Sequence, residues 1–220
     1  MEAPDCDPAK LERTYSQFAV LNQMLSGWRR AWRTTLLPAA RTAAAERGVA
    51  ELIDVGCGGG DVARRLAWWA ARDDVPLRVL AIDPDPRALA YARRRATPPS
   101  IRYRETTASR LAAEGARFDL VISNHVLHHL DEASLDEFFA ASDRLARHAM
   151  LHADLRRSAW AIPAFAAFSL PLRRSFVRED GFRSIRRAWT PPELAPFLPA
   201  DVQVRPVGAF HLSVVRERRL

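Results

Sequence analysis

Glu51-Leu-Ile-Asp-Val-Gly-Cys-Gly-Gly-Gly60 is a short β-branched run that closes on glycines at 56, 58, 59 and 60. From Val62 to Arg72 the apolar spacing lengthens to that of a helix. A strand, a glycine-rich turn and a helix follow one another. The alternation continues downstream. Leu77 to Ile82 predicts a second strand, and Asp83-Pro-Asp-Pro86 follows it. Asp85 is placed to cap, and Pro86 to open, a helix reaching Ala96. Ile101 to Glu105 and Phe118 to Ser123 predict the third and fourth strands, Leu135 to Leu145 a helix, and Ala149 to Ala153 a fifth strand. Strands alternating with helices at these lengths predict a parallel sheet covered on both faces. Val202 to Val207 and Phe210 to Val215 read as two further strands, antiparallel because Gly208-Ala209 leaves room for only a tight link.

Upstream, Leu11, Tyr15, Phe18, Leu21, Leu25, Trp28, Trp32 and Leu36 recur every three or four residues, the stripe of a helical extension over residues 1–47, with breaks expected at Gly27 and Pro38. Residues 48–220 then form the main domain. Within it, residues 156–190 are an aromatic and basic insertion, and Thr190-Pro-Pro-Glu193 has the form of a capping box starting a helix. Chain length sets the same limit: 220 residues suit one domain with an insertion.

Composition excludes several classes. The two cysteines, Cys6 and Cys57, are far apart and lack metal-site spacing, so a disulfide scaffold and a cysteine zinc site are not expected. The first residues are acidic where a leader would be basic, which points to a cytoplasmic protein. The longest apolar stretch, Ala159 to Leu172, is interrupted by Pro163 and Pro171 and falls short of the ~20 residues of a spanning helix. The net charge of +7 would ordinarily suggest nucleic acid, but Lys10 is the sole lysine among 33 basic residues, the mark of a codon bias. The excess is local: eight arginines face Glu179 and Asp180 between Arg156 and Thr190.

A strand ending in glycines leaves free backbone N–H groups and lets a ligand approach the chain closely. A dinucleotide fingerprint wants a sixth-position glycine, and here that position is Asp61. Asp83, ending the second strand, is placed to accept hydrogen bonds from ribose hydroxyls across the strand tips. The plain alternative for Asp83 is a turn or capping acid, a task that Asp85 can perform.

Glu51 to Gly60, Ala81-Ile-Asp-Pro84 and Phe118-Asp-Leu-Val-Ile-Ser-Asn-His125 together resemble the first, second and fourth motifs of class I S-adenosylmethionine-dependent methyltransferases, over roughly residues 50 to 155. The resemblance implies a Rossmann-like α/β fold with a seven-stranded, mostly parallel sheet whose last strand is antiparallel. It implies S-adenosyl-L-methionine as cofactor, with Asp54, Gly56, Cys57 and Gly58 at its methionine end, and Asp83 with Pro84 at the ribose. Asn124 and His125 would lie beside the sulfonium. After the third strand the family often carries an acidic residue followed by alanine. Here Thr107 and Ala108 stand at those positions, so Thr107 would replace the carboxylate at the adenine.

Methyl transfer from a sulfonium is an in-line displacement, and for a phenol or alcohol the protein must also remove a proton. Three histidines fall in Asn124-His-Val-Leu-His-His-Leu130 after the fourth strand, and Asp154 closes its expected neighbour. His128 or His129 is therefore the candidate base, with Asp154 orienting it or sharing the role; several small-molecule O-methyltransferases resemble this arrangement. No carboxylate stands near the histidines at a supporting sequence spacing, so a metal site is not expected. The insertion suits a roof over a lipophilic phenolic or hydroxyl-bearing acceptor, a solvated arginine surface, or a shallow contact with an anionic membrane. Its style is similar to that of methyltransferases of quinone and polyketide metabolism. The competing readings are a nucleic-acid methyltransferase, disfavoured because Ser123-Asn-His-Val126 does not resemble the Asn/Asp-Pro-Pro-aromatic motif of enzymes that methylate base amino groups, and a cofactor-binding pathway partner without activity.

Overall fold

The computed structural model describes residues 7–25, 27–170 and 175–217, and the side chains of Phe18, Leu21, Leu25 and Phe168, like Cys6 and Pro171, lie outside what is described. Seven strands run β1 Ala50–Val55, β2 Leu77–Asp83, β3 Ile101–Glu105, β4 Phe118–Asn124, β5 Ala146–Leu155, β6 Gln203–Val207 and β7 His211–Glu217. They form one sheet in the order β3-β2-β1-β4-β5-β7-β6. β1 to β5 are parallel, and β7 runs antiparallel to both β5 and β6. The Rossmann-like sheet expected from the sequence is the one observed.

Strands buried on both faces read as continuous apolar runs. Leu52, Leu120, Ile122 and Leu151 point into one core, shared with α4 (Asp61–Arg72) and with Leu89 of α5 (Pro86–Arg94). The alternate residues Ile53, Val121 and Met150 point into the other, shared with α6 (Ala108–Ala113) and α7 (Glu132–Leu145). Asp85, Thr107 and Asp131 cap the starts of α5, α6 and α7. The last of these caps brings the start of α7 forward from Leu135 to Glu132. β5 is longer at both ends than the apolar pattern suggests, because His148, His152 and Asp154 are buried within it.

The N-terminal segment comprises α1 (Pro8–Leu25) and, after Gly27 in a left-handed conformation (φ 65°), a continuous run of α2 (Trp28–Ala31), a π-helical turn (Trp32–Leu36) and α3 (Leu37–Arg47). Gly27 breaks the helix as expected, whereas Pro38 does not. The widened turn just before Pro38, in which Leu37 N–H donates to Trp32 C=O, accommodates a residue that lacks an N–H and crowds the preceding turn. Trp28, Trp32, Leu36, Ala40 and Ala43 belong to the same core as α4. Trp32 also donates its indole N–H to Asp73 at 2.7 Å.

The sheet edge away from the glycine turn is fastened by Asp119, which is fully buried. It accepts the Glu51 N–H at 2.8 Å and hydrogen bonds from Arg47 and Arg147. α3 is thereby tied to the start of β4. Replacing Trp32 with alanine should lower unfolding stability by about 3–5 kcal/mol in urea titration, the cost of emptying a large core site. A change below about 0.5 kcal/mol would mean that residues 28–47 are a detachable preface.

Candidate active site

The tips of β1, β2, β4, β5 and β7 converge at one edge, as open α/β sheets place their ligand sites. The glycine turn is held from beneath by β2: Cys57 N–H donates to Ile82 C=O at 2.9 Å, and Gly58 N–H to Asp83 Oδ2 at 2.8 Å. Gly56 has φ 67°, and a Cβ there would lie 2.6 Å from Val126 Cγ2, so the first position of the turn admits glycine alone. Cys57 is a buried turn residue whose thiol burial pushes up, which leaves it protonated and not nucleophilic.

Asp83 accepts a second N–H, that of Asp85, through Oδ1 at 2.8 Å, while Asp85 caps α5 through Arg87 N–H. The two acids divide the work: Asp85 is the cap, and Asp83 joins the glycine turn to the β2–α5 turn while each oxygen keeps a lone pair for a ligand. Burial raises the Asp83 pKa, partly offset by the N–H groups of Asp85 and Gly58. Pro84 between them is exposed.

Asp54 is different. It is buried, and neither carboxylate oxygen reaches a hydrogen-bond partner. Burial drives its pKa well up, and the charges of Asp61 and Asp83 add to this, against a small lowering by the Ala63 N–H. A buried carboxylate without partners is the complement of a cationic ligand group. The donor set at this turn therefore fits the ammonium end of S-adenosylmethionine. After β3, Thr107 is exposed and accepts the Arg110 N–H at 3.3 Å as the α6 cap, while Ala108 is buried. Thr106, which the sequence did not single out, is buried with an unpartnered hydroxyl.

At the tip of β4, Asn124 Oδ1 accepts the Trp28 indole N–H at 3.1 Å, so the N-terminal segment sets this side chain. His125 takes φ 58°, a left-handed conformation uncommon for a non-glycine residue, while its N–H donates to Ala153 C=O at 2.9 Å. The following tight turn, Leu127–His129, separates the two candidate bases. His128 is buried, with Nδ1 2.7 Å from Asp154 Oδ1, and its backbone N–H donates to Asp154 Oδ2 at 3.1 Å. His129 is exposed, its ring 4.2 Å from that of His128.

Asp154 is held below the ordinary carboxylate range: burial pushes it up, but the His128 charge and hydrogen bond, the His125 charge and the Leu155 N–H outweigh burial. His125 is pushed down to about 3, chiefly by burial against an opposing pull from Asp154, and so is neutral near pH 7. Its ring stands 5.8 Å from that of His211, a neighbour that only the β5–β7 register reveals, where His211 pairs with Leu155. Asp154 stands beside the histidines, as the strand order led us to expect, although no carboxylate is near them in sequence at a ligand spacing. Ligand atoms of His125, His128 and Asp154 lie within 4.8 Å of one another, because parallel pairing of β4 and β5 brings together residues far apart in sequence.

The insertion forms α8 (Ala161–Phe168) and α9 (Val177–Arg187), followed by α10 (Pro191–Leu194) with the expected capping box. α9 packs against the His128 turn, and Trp189 donates its indole N–H to Leu127 C=O at 3.0 Å. At its start, Phe176 N–H donates to the buried Thr14 Oγ1 at 2.8 Å, and Ser175 donates to Gln17 Oε1 at 2.6 Å. α1 in turn brings Tyr15 onto Tyr91, with ring centroids 5.1 Å apart, beside Gly59. The insertion and α1 thus bridge the glycine turn and the histidine turn.

The "Methyltransferase domain" family matches residues 52–149. That stretch, a little under half of the chain, is similar to a methyltransferase domain. An O-methyltransferase of ubiquinone biosynthesis from Methylocella silvestris is 40% identical over 114 residues, which are 51% of this chain and 41% of the relative. The chain therefore spans less than half of the length of that relative. An uncharacterized methyltransferase of Mycobacterium bovis is 28% identical over 163 residues, 72% of this chain and 78% of the relative. Among solved structures, human N-acetylserotonin methyltransferase in complex with S-adenosylmethionine superimposes with a TM-score of 0.61 at 13% identity, over 97% of this chain and 57% of that one. The plantazolicin methyltransferase in complex with S-adenosylhomocysteine gives 0.59 at 11% identity, over 96% and 95%. These two likenesses are of fold.

A carboxyl whose folded pKa is raised contributes stability in acid and loses it as pH climbs from the ordinary carboxylate range through the folded pKa. Asp54 thus weakens the ligand-free chain at neutral pH, and a cation beside it relieves that cost. Calorimetry of S-adenosylhomocysteine binding in buffers of differing ionisation heat should show proton release, with affinity rising as pH climbs above the ordinary carboxylate range. Asp54→Asn should abolish that dependence, raise the melting temperature of the free chain, and weaken ligand binding by about 1.5–3 kcal/mol.

Proposed function

We propose that this chain transfers a methyl group from S-adenosylmethionine to an oxygen of a small, lipophilic phenol or alcohol, with His128 as the base and Asp154 as its orienting partner. The His128–Asp154 pair carries the reading: a 2.7 Å contact inside the protein, at the strand tips where cofactor and acceptor meet. An ionised carboxylate accepts, so Nδ1 is the donor and Nε2 is left with a lone pair for the acceptor's proton. The same carboxylate stabilises the imidazolium once the proton has moved. His125, neutral near pH 7, does not compete for it.

Asp54, Gly56, Cys57 and Gly58 would hold the methionine end, Asp83 and Pro84 the ribose side, Thr107 and Ala108 the adenine, and Asn124 and His125 the flank of the sulfonium. The bound cofactor supplies a methyl group on a good leaving group. Alignment, exclusion of water by α8 and α9, and proton removal fall to this chain. The apolar insertion supports a lipophilic acceptor, and the relatives named for ubiquinone biosynthesis support oxygen as the methylated atom.

With a phenolic acceptor, His128→Ala should lower kcat by about 10²–10⁴-fold while S-adenosylhomocysteine binds normally. Asp154→Asn should act in the same direction and His129→Ala much less. If His128→Ala keeps near-normal turnover, the acceptor arrives already ionised or is methylated at carbon or nitrogen.

A further inference from the structure

A surface helix ordinarily turns polar residues outward, and α8 does not. Its exposed positions among the described side chains are Pro163, Ala164 and Ala167, on one face, and the exposed Trp160 and Leu170 flank the helix just before its start and just after its end. Trp160 is 78% and Leu170 58% exposed, and they stand at its two ends. The opposite face is already used: Phe165 lies edge-on to Phe182 at 5.2 Å and rests on α9 where Gly181 leaves room, since a Cβ there would be 2.2 Å from its ring. α8 is therefore apolar all round, with one side packed and one side bare. The border is basic. Arg178, Arg183 and Arg186 are exposed on the adjoining α9, and residues 156–190 carry eight arginines against two acids.

We infer that the outer face of α8 docks on an anionic phospholipid surface, with Trp160 and Leu170 entering the boundary between headgroups and acyl chains and the arginines of α9 meeting the phosphates. Tryptophan suits that boundary because an apolar ring carries one polar N–H. A shallow helix with apolar residues on one side and arginines beside them binds such a surface through area and charge together. A second copy of the chain fits less well, because self-pairing about a two-fold axis would bring the same arginines against each other with Glu179, already 3.9 Å from Arg183, and Asp180 as the only acids of residues 156–190 to offset them. Among the described residues no helix is long and apolar enough to cross a membrane, so the contact is peripheral.

The inference is independent of the acceptor and of the base. The test is sedimentation of the full chain with phosphatidylcholine vesicles, with and without about 30 mol% phosphatidylglycerol. The chain should pellet with the anionic vesicles, stay in solution with the neutral ones, and be released by added salt. Trp160→Asp and Leu170→Asp should each reduce the bound fraction by about tenfold in partition, with circular dichroism melting curves verifying that the variants are folded. Equal binding to both vesicle types, no binding to either, or binding untouched by both substitutions overturns the proposal. So does a dimer in solution that these substitutions dissolve.

Discussion

One buried carboxylate organises the edge of the sheet where the strand tips converge. Asp154 ends β5 away from water, and a carboxylate there costs several kcal/mol unless donors meet it. Two donors come from the neighbouring strand's exit, the His128 backbone N–H and the His128 ring, and a third is the N–H of Leu155, next along β5. Meeting them fixes the tight turn over residues 127–129, which gives Leu127 the carbonyl orientation that Trp189 uses and gives α9 a surface to rest on. The geometry of the histidine turn thus follows from satisfying one acid. The strained φ of His125 belongs to the same arrangement, since the chain must turn sharply between the tip of β4 and that acid.

At the opposite edge, Asp119 gathers Arg47, Arg147 and the Glu51 N–H. The sheet is pinned by buried carboxylates at both ends of its central strands, with different consequences. At Asp119 every donor is structural. At Asp154 the partner is an imidazole with one nitrogen left over, and at Asp54 neither oxygen is hydrogen-bonded by any described residue. The sequence of environments from Asp119 to Asp154 to Asp54 runs from well compensated to barely compensated, and the least compensated acids lie at the edge proposed to hold the cofactor.

The sheet was legible because its strands are buried on both faces, so Leu52-Ile53 or Val121-Ile122 announce themselves without any partner. The glycine turn was legible because its conformations demand glycine. The pairing of a histidine with Asp154 followed from placing consecutive strands side by side. Which histidine could not be read: His128 and His129 are chemically identical neighbours, and a single tight turn sends one inward and the other outward. The tie between Trp28 and Asn124 was hidden for another reason, because nothing local in either residue encodes a contact between a helix and a distant strand tip. His211 needed the β5–β7 register, and the passage of the helix through Pro38 needed the widened turn, which carries no sequence signature.

The junction of β5 with β7 has a further consequence. Leu155 and His211 are register partners, and Arg156 N–H donates to Phe210 C=O at 2.8 Å, so the chain leaves the sheet and re-enters it at the same place. Everything between, apart from the edge strand β6, is a closed detour. Lengthening a detour whose ends are already joined costs entropy only logarithmically in its length. Evolution can therefore rewrite the detour, trading one set of helices for another, without retuning the strand tips. The segment between Arg156 and β6 can thus change in length at small entropic cost, while the chain before it is bound to its glycines and its acids.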